Sequence, residues 1–125
     1  MKKNNPDITL SIKGSMNIEK LLQLVDNQLQ DDKIEEIIIF DLRGKSPITS
    51  YVVIGTGTST KHISSTAEKL ADKVEEFYEE PQNISMEGRN KNAQWILVDL
   101  DEVMVHLLTK EARENYNLEE LYSQK

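Results

Sequence analysis

The chain has 125 residues, of which 38% are hydrophobic and 30% charged, and it carries a formal net charge of −7 and no cysteine. This size supports one domain with a single core, and the acidic balance argues against free nucleic-acid binding, which needs a basic footprint. There is no disulfide framework, thiolate metal site, membrane-length apolar run or secretory signal behind the charged start, so the expected location is the cytoplasm, without membrane contact.

Residues 1–15 are polar, contain Pro6 and end in Gly14-Ser15. They read as a flexible N-terminal extension or a non-native remnant, leaving 16–125 as the single domain. From Asn17, which suits an N-cap, Ile18, Leu21, Leu22, Val25 and Leu29 repeat with helical spacing until Asp31-Asp32-Lys33 breaks it. Ile37-Ile38-Ile39-Phe40 is apolar without alternation and β-branched, the pattern of a strand buried on both faces. After the loop Arg43-Gly44-Lys45-Ser46-Pro47, which Ser46-Pro47 stiffens, Tyr51-Val52-Val53-Ile54 is a second such strand. Gly55-Thr56-Gly57-Thr58-Ser59 leads into a long helix with Ile63, Ala67, Leu70, Ala71, Val74, Phe77 and Tyr78 on its apolar side, closed by Pro81. Glu75-Glu76 and Glu79-Glu80 form its solvated face and can steer a basic partner. Asn83 to Glu87 predicts a weak edge strand, and Gly88 to Asn92 a loop.

The run Trp95 to Leu108 is the most informative stretch. If Asp101-Glu102 is a two-residue turn, Leu100 faces Val103, Val98 faces Val105 and Ile96 faces Leu107, an aliphatic face for the core. The opposite face pairs Trp95 with Leu108, Leu97 with His106 and Asp99 with Met104. Trp, Met, His and Asp together suit a surface that meets another molecule. The competing arrangement for Trp95 is core packing under the C-terminal helix. Thr109 caps a short last helix, Lys110 to Tyr116, with Leu118 and Leu121 in a final turn. The order α-β-β-α-β-β-β-α predicts an α/β (α+β) fold, a mixed sheet of about five strands with helices mainly on one face.

Three constellations have a chemical reading. Gly55 to Ser59 at a helix start could cradle phosphate, but it lacks the P-loop lysine and spacing, and a tight turn capped by Thr58 or Ser59 accounts for it. Asp99 and Asp101 could hold Mg²⁺ for nucleotidyl transfer with that turn; the intervening elements, the turn position of Asp101 and the missing third carboxylate speak against it. His62 and His106 are too far apart in the pattern for a two-histidine metal site.

In order and spacing, Asp41-Leu42-Arg43-Gly44-Lys45-Ser46-Pro47-Ile48-Thr49, Tyr51 to Ser59, Glu87-Gly88, Trp95 to Asp99, Val105-His106, Glu111-Ala112-Arg113 and Tyr116-Asn117-Leu118-Glu119 resemble the ribosomal silencing factor (Iojap-related) family over Asn17 to Tyr122. The resemblance implies a nucleotidyltransferase-like fold without the catalytic set, hence no enzyme and no cofactor. It also implies binding to the large ribosomal subunit through ribosomal protein fourteen, which blocks small-subunit joining and represses translation when nutrients run short. The alternatives are large-subunit assembly, with which organellar relatives are linked, and Mg²⁺-dependent nucleotidyl transfer. The chain departs from the family pattern at Thr49-Ser50-Tyr51, where Thr-Asp-Tyr is common, and at Asp101-Glu102, where Gly-Asp is usual. An aspartate there must tolerate a positive φ. The expected partner-binding residues are Trp95, Leu97, Asp99, Met104 and His106, together with Tyr51; the same face in the free protein could pair two copies into a homodimer.

Overall fold

The computed structural model describes residues 13–77, 84–88 and 92–123. Helix α1 spans Lys13–Asp31, strands β1 and β2 Glu35–Asp41 and Tyr51–Gly57, and helix α2 Thr60–Phe77. Strands β3, β4 and β5 follow at Ser85–Glu87, Trp95–Asp99 and Val103–Thr109, then the short helices α3, Lys110–Asn115, and α4, Leu118–Ser123. The sheet order is β1-β2-β5-β4-β3. β2 and β5 are parallel, and the other neighbours are antiparallel. The chain must therefore cross over between β2 and β5, and α2 lies on that crossover.

The sheet has a different coat on each face. Leu21, Val25 and Leu29 of α1 and Ile63, Ala67, Leu70 and Val74 of α2 pack with Val53, Ile96, Val98, Val105 and Leu107 in the main core. On the reverse face Val52, Ile54 and Leu108 meet Leu42, Ala112 and Leu118, with Phe40, Trp95, Met104 and Tyr122 partly buried around them. The two central strands are apolar because both of their faces are covered: every residue of β2 is buried, and in β5 only Met104 is partly exposed.

Two expectations need correction. β1 is an edge strand, and Ile39 is 41% exposed. An apolar run reports β-propensity but cannot report a missing neighbour. A bulge between Glu35 and Ile38, with Glu36 at φ 52°, breaks the regularity of this edge, a common protection against edge pairing. Helix α1 is described from Lys13, so Asn17 falls inside the helix and is not its cap. Asparagine is a weak helix former, tolerated once a turn is nucleated. The rest of the 1–15 extension, and Tyr78, Glu79-Glu80 and Pro81, lie outside the described residues.

The ends of the helices have local causes. The Ile34 N–H donates to the Leu29 carbonyl (2.9 Å) and the Lys33 N–H to that of Gln30 (3.0 Å), closing α1 in a Schellman motif with Lys33 at φ 60°. Asp32 then ties α1 to α2: its carboxylate accepts from Thr66 Oγ1 (2.8 Å) and Lys69 Nζ (3.3 Å), and its carbonyl lies 2.6 Å from His62 Nε2. Ser59 caps α2 by accepting from the His62 N–H (3.0 Å). Thr109 caps α3 through Ala112, and Asn117 caps α4 through Glu120. Arg113, only 9% exposed, joins both short helices to the sheet by donating to Glu119 (3.1 Å) and to Thr56 Oγ1 (2.7 Å).

Candidate functional site

Alternation along β4 decides which side chains can reach outward. Ile96 and Val98 are buried, while Trp95, Leu97 and Asp99 are half-buried on the other face. The pairs Trp95–Leu108, Leu97–His106 and Asp99–Met104 form as the hairpin reading requires. Trp95, Leu97, Asp99, Met104 and His106 therefore share one face. Tyr51 does not join them: it is 7% exposed and packs into the main core on the other side of the sheet, with the Arg43 guanidinium 5.1 Å from its ring centre. An odd–even shift along β2 sends it there, because Val52 and Ile54 occupy the Trp95 side.

Depth separates His106 from the rest. It is 6% exposed, and burial holds its pKa down at about 4, so the ring is neutral at physiological pH. The Trp95 indole N–H donates to Nδ1 (3.0 Å), and Nε2 lies 3.1 Å from the Tyr122 hydroxyl. An indole can only donate, so Nδ1 carries the lone pair and Nε2 the proton. Trp95 also packs on Tyr116, ring centres 5.0 Å apart. Core packing under the C-terminal helices and outward exposure are thus both features of Trp95. Beside it lies a depression of about 260 Å³ lined by Glu87, Gly88, Trp95, Leu97 and His106. Gly88 adopts φ +83°, and a Cβ there would run into the Trp95 carbonyl oxygen, which is why glycine precedes the hairpin.

The hairpin tip is tightly constrained. Asp101 has φ 75°, and its N–H donates to Asp99 Oδ1 (2.9 Å). Glu102 is no free turn residue: its carbonyl accepts from the N–H groups of Ser50 and Tyr51, and its carboxylate accepts from the Ser50 hydroxyl (2.6 Å). Ser50 and Glu102, far apart in sequence, therefore touch each other. The loop from Leu42 to Ser50 ends here and carries Ile48, 74% exposed. Arg43 turns back onto Asp41 in a two-point ion pair (2.8 and 3.0 Å) that holds the Asp41 carboxyl down at about 2.

The other constellations resolve into structure. A Cβ on Gly55 would sit 2.5 Å from Ile34 Cγ2, and one on Gly57 2.5 Å from Ile63 Cγ2. These glycines permit close packing of strand against neighbours. His62 sits in the first turn of α2, bonded to Thr58 and near the Asp32 carbonyl, and does not meet His106. Among the described residues no group of three or more His, Asp or Glu side chains is placed to hold a metal ion. Sequence reasoning missed Tyr116 and Tyr122; the available signal was two aromatics six apart flanking Leu118 in a short polar tail.

A family model described as "Ribosomal silencing factor during starvation" matches residues 15–125. The chain is 38% identical over 108 residues to the ribosomal silencing factor RsfS of Zymomonas mobilis, covering 86% of this chain and 79% of that one. It is 38% identical over 103 residues to the RsfS of Haemophilus influenzae, covering 82% of this chain and 98% of that one. The fold is similar to a crystal structure of a protein from Chromobacterium violaceum, with a TM-score of 0.77 and 26% identity over 85% of this chain and 86% of the other.

Proposed function

The chain belongs to the ribosomal silencing factor family, and from that premise we propose that it binds the large ribosomal subunit through ribosomal protein fourteen and blocks joining of the small subunit. The observation that carries this reading is the half-buried face of Trp95, Leu97, Asp99 and Met104, in which a tryptophan stands beside a depression able to admit a side chain. Aromatic and methionine side chains on a face fixed by a rigid sheet suit a protein interface. The net charge of −7 suits a basic partner. The mechanism is steric and needs no bond to be made or broken: a domain seated at the joining face excludes the small subunit. Such a role sets the protein in the cytoplasm, and no helix among the described residues is long and apolar enough to cross a membrane.

Co-sedimentation with purified large subunits, small subunits being added last, tests the reading. Wild type should travel with large subunits and reduce the joined fraction. Trp95→Ala should weaken binding by about 2 kcal/mol or more, roughly 30-fold, with the circular dichroism of the domain retained. Leu97→Ser, a smaller change on the same face, should act in the same direction. Unimpaired binding by both variants would place the interface elsewhere, and binding without reduced joining would favour large-subunit assembly. Sedimentation of the free protein over a concentration range reads whether the same face pairs two copies.

A further inference from the structure

The contact residues account for a surface, yet a polar chain lies beneath it. Trp95 donates to His106, His106 reaches Tyr122, and Tyr122 packs on Phe40 with ring centres 5.7 Å apart. This bonded chain runs from the half-buried indole through the sheet's central strand to the last helix. We infer that His106 and Tyr122 are positioning residues: His106 fixes the orientation of the Trp95 indole by accepting its N–H, and Tyr122 on α4 fixes the imidazole that does so. The inference rests on Trp95 being the anchor of the proposed interface.

Three features support a lock rather than incidental contacts. The chemistry is directional, because a donor-only indole admits a single neutral tautomer of His106 and leaves Nε2–H to donate to the Tyr122 oxygen. The ring is buried, so water does not replace either partner cheaply, and its depressed pKa keeps it in the accepting form. The far end is anchored: α4 is held by the Arg113–Glu119 pair, by Arg113 to Thr56 on β2, and by its Asn117 cap. Of the ionisable groups on the elements around His106, Glu87 on β3 lines the same depression, Asp99 on β4 accepts from the Asp101 N–H, Tyr122 on α4 lies against the ring, and Arg113 is already bonded to Thr56 and Glu119. A free tryptophan on a sheet surface loses rotamer freedom on docking; one held in place beforehand loses less, and the difference appears as affinity.

Trp95 is the only tryptophan, so its indole N–H reports the lock without any partner. Hydrogen exchange at that N–H, read by NMR, should be slow in wild type, fast in His106→Leu, and slow again in His106→Asn, whose carboxamide oxygen can take the place of Nδ1. Large-subunit affinity should fall about tenfold in His106→Leu and recover in His106→Asn. Tyr122→Phe keeps the ring against Phe40 and should give intermediate exchange; it carries the comparison if the leucine variant does not fold. Equal exchange in wild type and variants would overturn the lock, and lost protection with unchanged affinity would overturn its role in docking. If wild type does not bind large subunits at all, the proposed function falls with the docking half of the inference, while indole exchange still decides whether the lock exists.

Discussion

The imidazole of His106 has its two nitrogens committed to opposite roles, and a second proton would turn Nδ1 from acceptor to donor in front of the Trp95 N–H. The folded-state pKa lies at about 4, below the ordinary histidine value of 6.5, so between those limits the unfolded chain binds more protons. Stability attributable to this group is therefore complete above about pH 6.5 and declines as pH falls toward 4, by about 3 kcal/mol in all. Urea unfolding at pH 7 and pH 4.5 should show the decline in wild type and a reduced slope in His106→Asn. Residue spacing alone places His106 beside Leu97 and on the Trp95 face, because register follows from the turn. Spacing carries no information about depth, which depends on α3 and α4 arriving from later in the chain to cover the ring. Tyr51 illustrates the complementary failure: its resemblance-bearing neighbourhood suggests a surface role, while strand parity sends its side chain to the opposite face.

At the level of elements, the end of α1 carries avoidable strain. Lys33 occupies the left-handed position of the Schellman motif, where glycine is preferred and a side chain costs about 1 kcal/mol. Lys33→Gly should raise stability by up to about 1 kcal/mol, read as a shift in denaturation midpoint without change in slope. The neighbouring contacts of Asp32 with Thr66 and Lys69 lock the same joint and should keep the helix packing unchanged. The elements themselves were legible because each has a local cause: helical spacing in α1 and α2, the Thr109 cap, the acidic hairpin turn with Asp101 at positive φ. The edge position of β1 was not legible, since strand order is settled by long-range pairing that no local window contains.

Across the whole molecule, one sheet separates two cores of unequal thickness: two long helices on one side and two short ones on the other, the latter leaving part of the hairpin uncovered. That asymmetry is what leaves one face open for the proposed docking. The chain is acidic, and exposed Glu75 and Glu76 on α2 add to its field. Association with a basic partner should therefore slow as salt rises, while dissociation, governed by the apolar contacts, changes little. Association and dissociation rates measured between low and physiological ionic strength separate the two; an unchanged association rate would leave charge without a role.

The central pairing of β2 with β5 also orders events in time. As the chain leaves a ribosome, α1, β1, β2 and α2 are made first, but the second edge of β2 stays open until β5, made after β3 and β4, emerges. Until then an apolar strand edge is exposed and β4 has no partner to carry it into the sheet. The indole, its imidazole support and the helices that hold them are therefore assembled together, after β2 and α2. The proposed docking face is thus unfinished for as long as the ribosome making the protein still holds β5 and α4.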